Sequence, residues 1–106
     1  MDRIPENEDN TPNESFYITF LKTYNKQFNA LRENECLISK LILSNNFELI
    51  IHKIGIHKDI LKFSGQDYKQ DETTILTHSH LSQIIFTKDT KNKKMYGFKI
   101  EFENPL

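Results

Sequence analysis

The first third of the chain has the apolar spacing of a helix. Between residues 16 and 31 the apolar side chains recur every three or four positions, which places them on one face of an α-helix. Thr11, Pro12 and Glu14 supply a start signal, because a threonine cap, a first-turn proline and an acid three positions later suit the first backbone amides. We therefore predict an amphipathic helix that runs to about residue 33.

From residue 36 onward the pattern is almost entirely that of β-strands. A tight turn falls at Asn45-Asn46, since asparagine tolerates the positive φ that such a hairpin needs. Gly55 indicates a bend or a bulge in the second strand. A phase shift near Leu81 divides a long apolar segment into two strands. The predicted strands cover residues 36–44, 47–56, 60–64, 74–86 with the break at Leu81, and 95–102.

These elements define an α+β, mostly β fold. An N-terminal helix is followed by a strongly bent antiparallel sheet of five to six strands, which forms a small or half-open barrel. We expect a flexible acidic tail at residues 1–12. One domain, the helix with the bent sheet, then covers residues 13–87, and a basic turn with an additional strand covers residues 88–106.

Length, charge and cysteine content limit the classes of function. The chain has 106 residues, enough for one domain with a modest core. Its formal net charge is -1, so any surface for nucleic acid has to be a local patch. Cys36 is the single cysteine, which excludes an intrachain disulfide. The sequence contains neither a signal-peptide pattern nor a membrane-spanning run, and we expect a cytoplasmic protein.

Four short motifs follow one another between residues 16 and 87. They are FNALR at residues 28–32, LILSNNFEL at 41–49, GIHK at 55–58 and THSHLSQI at 77–84. In this order they resemble the end of the N-terminal helix, the first hairpin, the glycine-containing bend and the last signature of the Sm-like fold, and in particular of the Hfq-like RNA chaperones.

The resemblance implies a ring-shaped homo-oligomer of six subunits, joined through edge strands, that binds single-stranded RNA. It places His78, Ser79 and Lys58 near a pore-side site for uridine-rich RNA ends. It also places Tyr24 where a residue of the helix contacts RNA. Cationic groups there would offset phosphate charge while bases stack and form hydrogen bonds.

The resemblance implies a second RNA site on the opposite face of the ring. Asn45, Phe47 and Gln83 would approach adenine-rich strands there. Glu48 stands close by where the family usually has lysine, so phosphate would be repelled at that position. Arg32 would remain as the cation of the outer rim.

The sequence offers little for catalysis. It has no glycine-rich phosphate loop, nucleophile elbow or zinc signature. His78 and His80 are two positions apart and give at most two ligands for zinc, with no third ligand nearby in the sequence. We expect a protein that is not an enzyme and that needs no metal or cofactor.

A second hypothesis belongs to a different class of function. The chain would be a small protein-interaction module, such as a phage- or plasmid-encoded inhibitor or regulator, without RNA activity. Its acidic tail and additional edge strand would engage a protein partner by strand addition. The near-neutral charge favours this hypothesis, whereas the ordered motifs favour the RNA-binding one.

Overall fold

One long helix is followed by a curled sheet, as the sequence predicts. The structure, a computed structural model, describes residue 4 and residues 9–104. The elements are α1 (Pro12–Asn29), β1 (Cys36–Leu43), β2 (Glu48–His57), β3 (Ile60–Gln66), β4 (Glu72–Thr77), a 3-10 turn (Ser79–Leu81), β5 (Ser82–Asp89), α2 (Lys93–Tyr96) and β6 (Glu101–Phe102). The strand order is β4-β3-β2-β1-β5, and β6 pairs with β2. The predicted fold class is confirmed.

Helix α1 begins with the predicted capping box. The Thr11 hydroxyl accepts a hydrogen bond from the Glu14 amide at 3.1 Å, and the Glu14 carboxylate accepts one from the Thr11 amide at 2.9 Å. The helix ends at Asn29, before the predicted residue 33. Its last turn tightens there, because the amides of Ala30 and Leu31 bond to carbonyls three residues earlier.

The β1–β2 hairpin has its turn where the asparagine pair predicts it. Asn46 has a φ of 65°, in the left-handed region that asparagine tolerates. The Asn45 side-chain oxygen accepts a hydrogen bond from the Phe47 amide at 3.1 Å, which closes the turn.

Strand β2 bends at a β-bulge between Ile51 and Lys53, where its register against β3 shifts. The sequence predicted this bend at Gly55, but it lies a few residues earlier in the strand. Gly55 has a different role: a Cβ atom there would lie 2.6 Å from the Glu103 carboxylate, which packs over the glycine. Before the bulge β2 pairs with β1, and after it β2 pairs with β6.

The sheet curls so that its two edges approach each other at one end. Strand β4 ends at Thr77 and β5 begins at Ser82, so the linker covers at most about 17 Å even when fully extended. In a flat sheet four strand spacings, about 19 Å, would separate these edges. The 3-10 turn shortens the linker further. Within the described residues β4 and β5 do not pair, so the curled sheet stays open.

The last strand is shorter than the predicted range of residues 95–102. It contains only two residues and runs parallel to β2. Side chains of α1 also bind the backbone on either side of it. The Tyr24 hydroxyl accepts a hydrogen bond from the Ile100 amide at 2.8 Å. The Tyr17 hydroxyl accepts one from the Asn104 amide and donates one to the Asn104 carbonyl, at 3.1 and 3.0 Å.

The core lies between α1 and the concave face of the sheet. Tyr17, Phe20 and Tyr24 pack against Phe86 of β5 and Phe102 of β6, with ring centroids 5.4–6.3 Å apart in five pairs. Part of the predicted tail joins this core, since the side chain at position 4 is 5% exposed. Residues 9–12 lead into α1, with Thr11 as its cap and Pro12 as its first residue. The prediction for residues 1–3 and 5–8 lies outside the described residues.

Replacing Tyr17 with phenylalanine tests the attachment of the last segment to the helix. Tyr17→Phe leaves the Asn104 amide and carbonyl buried without their partner, so we expect the free energy of unfolding to fall by about 1–3 kcal/mol. Tyr68→Phe is the control, because Tyr68 is 76% exposed. Urea denaturation followed by circular dichroism measures both variants. Equal stability of the two would mean that the hydroxyl of Tyr17 contributes nothing.

Candidate nucleic-acid interface

The turn between β2 and β3 presents Lys58 at one end of the sheet. His57 pairs with Ile60, so Lys58 and Asp59 form a two-residue hairpin turn. Lys58 has a φ of 56°, in the left-handed region, and its side chain is exposed. Within the described part of the chain Lys58 forms no ion pair, which leaves its ammonium group available to an anion.

His78 and Ser79 lie beside this turn. Thr77, the last residue of β4, pairs with Leu61, two residues beyond the hairpin turn. The chain then enters the 3-10 turn through His78. The antiparallel pairing of β3 with β4 thereby brings together three of the residues for which the sequence predicts RNA contact.

Asn13 fixes the two loops to each other. It lies in the first turn of α1 and is 6% exposed. Its side-chain NH₂ donates to the Asp59 carbonyl, and its Oδ1 accepts from the Ser79 amide at 2.8 Å. One buried amide therefore joins the helix start, the Lys58 turn and the 3-10 turn. The sequence gives no signal for this role, because an asparagine near a helix start is usually solvated.

Imidazole rings add a stacking surface to this end. The rings of His78 and His80 lie 5.6 Å apart between centroids with 24° between their planes, and both residues are exposed. Stacked rings suit contact with flat groups such as nucleobases. No group of three or more histidine, cysteine or acidic side chains in the described residues is arranged to hold a metal ion.

A cavity of about 570 Å³ opens next to the Lys58 turn. Its volume lies in the range of small-molecule pockets. Leu76 of β4 is 64% exposed beside it, and Glu103 and Asn104 close its other side. The lining residues are Ile56, His57, Ile60, Lys62, Leu76, Glu103 and Asn104.

Carboxylates neutralise other lysines near this cavity. Glu103 lies 3.4 Å from the ammonium nitrogen of Lys62 and 3.5 Å from that of Lys53. Both lysines are partly exposed, so these ion pairs are screened by solvent. Of the lysines at this end, Lys58 is the one most available to a phosphate group.

The residues predicted for the second RNA face lie near the β1–β2 turn. Gln83 of β5 pairs with Ile42 and lines a shallow cavity of about 190 Å³ together with Ser44 and His80. Asn45 is exposed, but its side-chain oxygen is engaged in the turn.

Two features weaken this second face. Phe47 is half-buried and packs against the core. The exposed Glu48 carboxylate lies 3.7 Å from the Lys40 ammonium group and neutralises its charge. The structure thus brings Gln83 and the turn together, and among the described residues no free cation lies beside them.

Tyr24 and Arg32 lie apart from both groups. Tyr24 is fully buried, and its hydroxyl is bonded to the Ile100 amide. It is a core residue, and the interface proposed below does not include it. Arg32 is exposed just beyond α1, whose 18 residues make a helix about 27 Å long. That length separates Arg32 from the Asn13 end, where Lys58 and His78 lie.

Comparisons of the chain with protein-family models, with curated proteins and with solved structures found no match. In the described part of the chain, no helix has the length and apolar character needed to cross a membrane.

Removing the Asn13 side chain tests whether it holds this end together. Asn13→Ala leaves the Asp59 carbonyl and the Ser79 amide without their partner, so we expect a loss of about 1–3 kcal/mol in unfolding free energy. We also expect faster hydrogen exchange of the Ser79 amide. Asn29→Ala, at the exposed other end of α1, should change stability by less than about 0.5 kcal/mol. Unchanged exchange at Ser79 would contradict the role of Asn13.

Proposed function

We propose that this protein is an Sm-like, Hfq-like single-stranded RNA-binding protein that forms a ring-shaped homo-oligomer. It acts in post-transcriptional regulation in the cytoplasm. The observation that carries the proposal is the grouping of Lys58, His78 and Ser79 around Asn13, at the end of a curled sheet. The motif order in the sequence supports the same assignment.

The chemistry of this group suits single-stranded RNA. The Lys58 ammonium group offsets the charge of a phosphate, and the exposed rings of His78 and His80 offer flat surfaces to unpaired bases. The cavity beside Lys58 gives space for a base that has turned out of the strand. Because the chain carries a formal net charge of -1, binding depends on this local group.

The two open edges of the sheet support assembly of a ring. Strands β4 and β5 each pair on one side only within the described residues. Each also exposes an apolar side chain, Leu76 on β4 at 64% and Ile85 on β5 at 39%. Pairing of β4 in one subunit with β5 in the next would satisfy both edges and cover these side chains. Such an arrangement repeats the Lys58 group once per subunit.

A protein-interaction module is the second candidate. The observation in its favour is the exposed apolar Leu76 at the free edge of β4, next to the 570 Å³ cavity. An extended peptide could add to that edge and place a side chain in the cavity. This candidate needs neither a ring nor RNA.

Light scattering on a sizing column, with and without a short uridine-rich RNA, separates the two candidates. We expect the mass of a ring of several subunits and co-elution of the RNA. A monomer that ignores RNA would overturn the RNA-binding proposal and favour the protein-interaction module. A ring that does not bind RNA would support the proposed assembly but refute the proposed RNA-binding function.

Charge reversal at Lys58 tests the binding site itself. Lys58→Glu should weaken RNA binding about tenfold or more and lower the dependence of affinity on salt, because a phosphate contact is lost. His78→Ala should also weaken binding through the loss of stacking. Lys69→Glu is a matched control with the same charge change on an exposed lysine of the β3–β4 loop. Fluorescence anisotropy at two salt concentrations measures all three, and equal losses for Lys58→Glu and Lys69→Glu would refute a localised site.

A further inference from the structure

His52 occupies an exceptional position in β2. It lies at the β-bulge between Ile51 and Lys53, where the register against β3 shifts. Its Nε2 atom is shielded from solvent and has no hydrogen-bond partner among the described residues. Buried polar atoms are nearly always paired, so an unpaired imidazole nitrogen points to a role other than fold stability.

The His52 ring lies directly against the last segment of the fold, residues 98–104. The ring centroids of His52 and Phe98 are 4.4 Å apart, with 65° between the planes. Two residues further, the Ile100 amide bonds to the Tyr24 hydroxyl. Glu101 of β6 then pairs with Lys53, the neighbour of His52. The imidazole therefore lies where residues 98–104 cross β2.

The charges around His52 come from three strands. His52 lines a cavity of about 400 Å³ together with Lys53 of β2, Glu72 of β4 and Glu101 of β6. Strand β3 contributes Ser64 and a glycine, neither of which titrates. The Glu101 carboxylate lies 3.9 Å from the Lys53 ammonium group, so its charge is partly neutralised by Lys53. Glu72 is the acid that favours a protonated imidazole.

We propose that His52 is an acid-sensitive latch, whose protonation detaches residues 98–104 from β2 and α1. A proton on the shielded Nε2 has no acceptor in the closed arrangement, so the charge forms there without water or a hydrogen-bond partner. Once the segment detaches, water solvates the imidazolium. The closed arrangement is therefore favoured by neutral His52 and the detached one by charged His52.

The direction of the pH effect follows from burial. Burial lowers the pKa of His52 below 6.5 in the closed state, and the smaller effect of Glu72 raises it only in part. In the detached state the pKa returns towards the ordinary value of about 6.5. The detached state thus binds the proton more readily. The latch is fully effective above about pH 6.5 and weakens as the pH falls below that value.

Detachment would open a third strand edge, on β2, and release cations. The Ile54 carbonyl now accepts from the Glu103 amide at 2.9 Å, and the Ile56 amide donates to the Asn104 side chain at 2.8 Å. Both groups on β2 would become free to pair with another strand. Because Glu103 would move away with the detached segment, the ammonium groups of Lys53 and Lys62 would lose their ion pairs with it.

Hydrogen exchange of the full chain, read by mass spectrometry at pH 7.5 and pH 5.5 and corrected for intrinsic exchange, tests the latch. We expect protection of residues 98–104 to fall at the lower pH by up to about tenfold, because pH 5.5 lies about one unit below the ordinary pKa of 6.5 that His52 regains on detachment. Protection of β1 should stay unchanged. A uniform loss across both segments would indicate global acid unfolding and overturn the proposal.

Variants separate His52 from other titrating groups. His52→Phe keeps a ring against Phe98 but cannot bind a proton, so the pH effect should disappear; His52→Gln should remove it as well. His57→Gln, on an exposed histidine of the same strand, should retain it. The same pH effect in His52→Phe as in the original chain would refute the latch.

An NMR titration of the original chain gives an answer that does not depend on the folding of any variant. The imidazole signals of His52 and the amide signal of Ile100 should change with one common midpoint. Different midpoints would overturn the coupling between them.

Discussion

Two tyrosine hydroxyl groups on α1 hold the last segment of the fold in the core. The hydroxyls of Tyr17 and Tyr24 are buried and need partners, and so do the backbone groups of an irregular segment. The tyrosine hydroxyls and these backbone groups therefore serve as hydrogen-bond partners for one another. Burial raises the pKa of both tyrosines, so both remain neutral hydroxyl groups over the physiological range of pH. The position of β6, and hence of Glu103 and Asn104, depends on these bonds.

Antiparallel pairing of β3 with β4 then determines which surface residues meet. It places the end of β4 beside the β2–β3 turn, and the 3-10 turn that follows β4 lies against the start of α1. Asn13 fixes that arrangement with one side chain that both donates and accepts. The proposed interface is therefore built from loops, but it is positioned by the helix.

Local patterns predicted much of the fold. The capping box, the Asn45-Asn46 turn and the break near Leu81 each depend on a few neighbouring residues, and the structure contains all three. The direction and length of β6 were beyond such patterns. The alternation of apolar residues before Phe102 is typical of a strand, but these backbone groups bond to side chains of a helix 76 to 87 residues away.

The candidate site was predictable to a similar degree. His78, Ser79 and Lys58 were identified from short motifs, and the structure brings them to one end. Tyr24 looked available on a helix, although its face is the one that packs on the sheet. Asn13 acts on residues 46 and 66 positions away, and no local pattern reveals such a contact. The unpaired nitrogen of His52 likewise depends on how three strands and a distant phenylalanine surround it.

The distance between Tyr17 and Asn104 along the chain also matters during synthesis. The two residues are 87 positions apart, so a ribosome has to add nearly the whole described sequence before the first tyrosine finds its partner. Phe102, which packs on the same face of α1, is also added late, whereas Phe86 is available earlier. Contacts of such long sequence separation form slowly and leave apolar surface exposed in the meantime. The part of the aromatic face of α1 that Phe102 covers therefore stays exposed until this segment has been made.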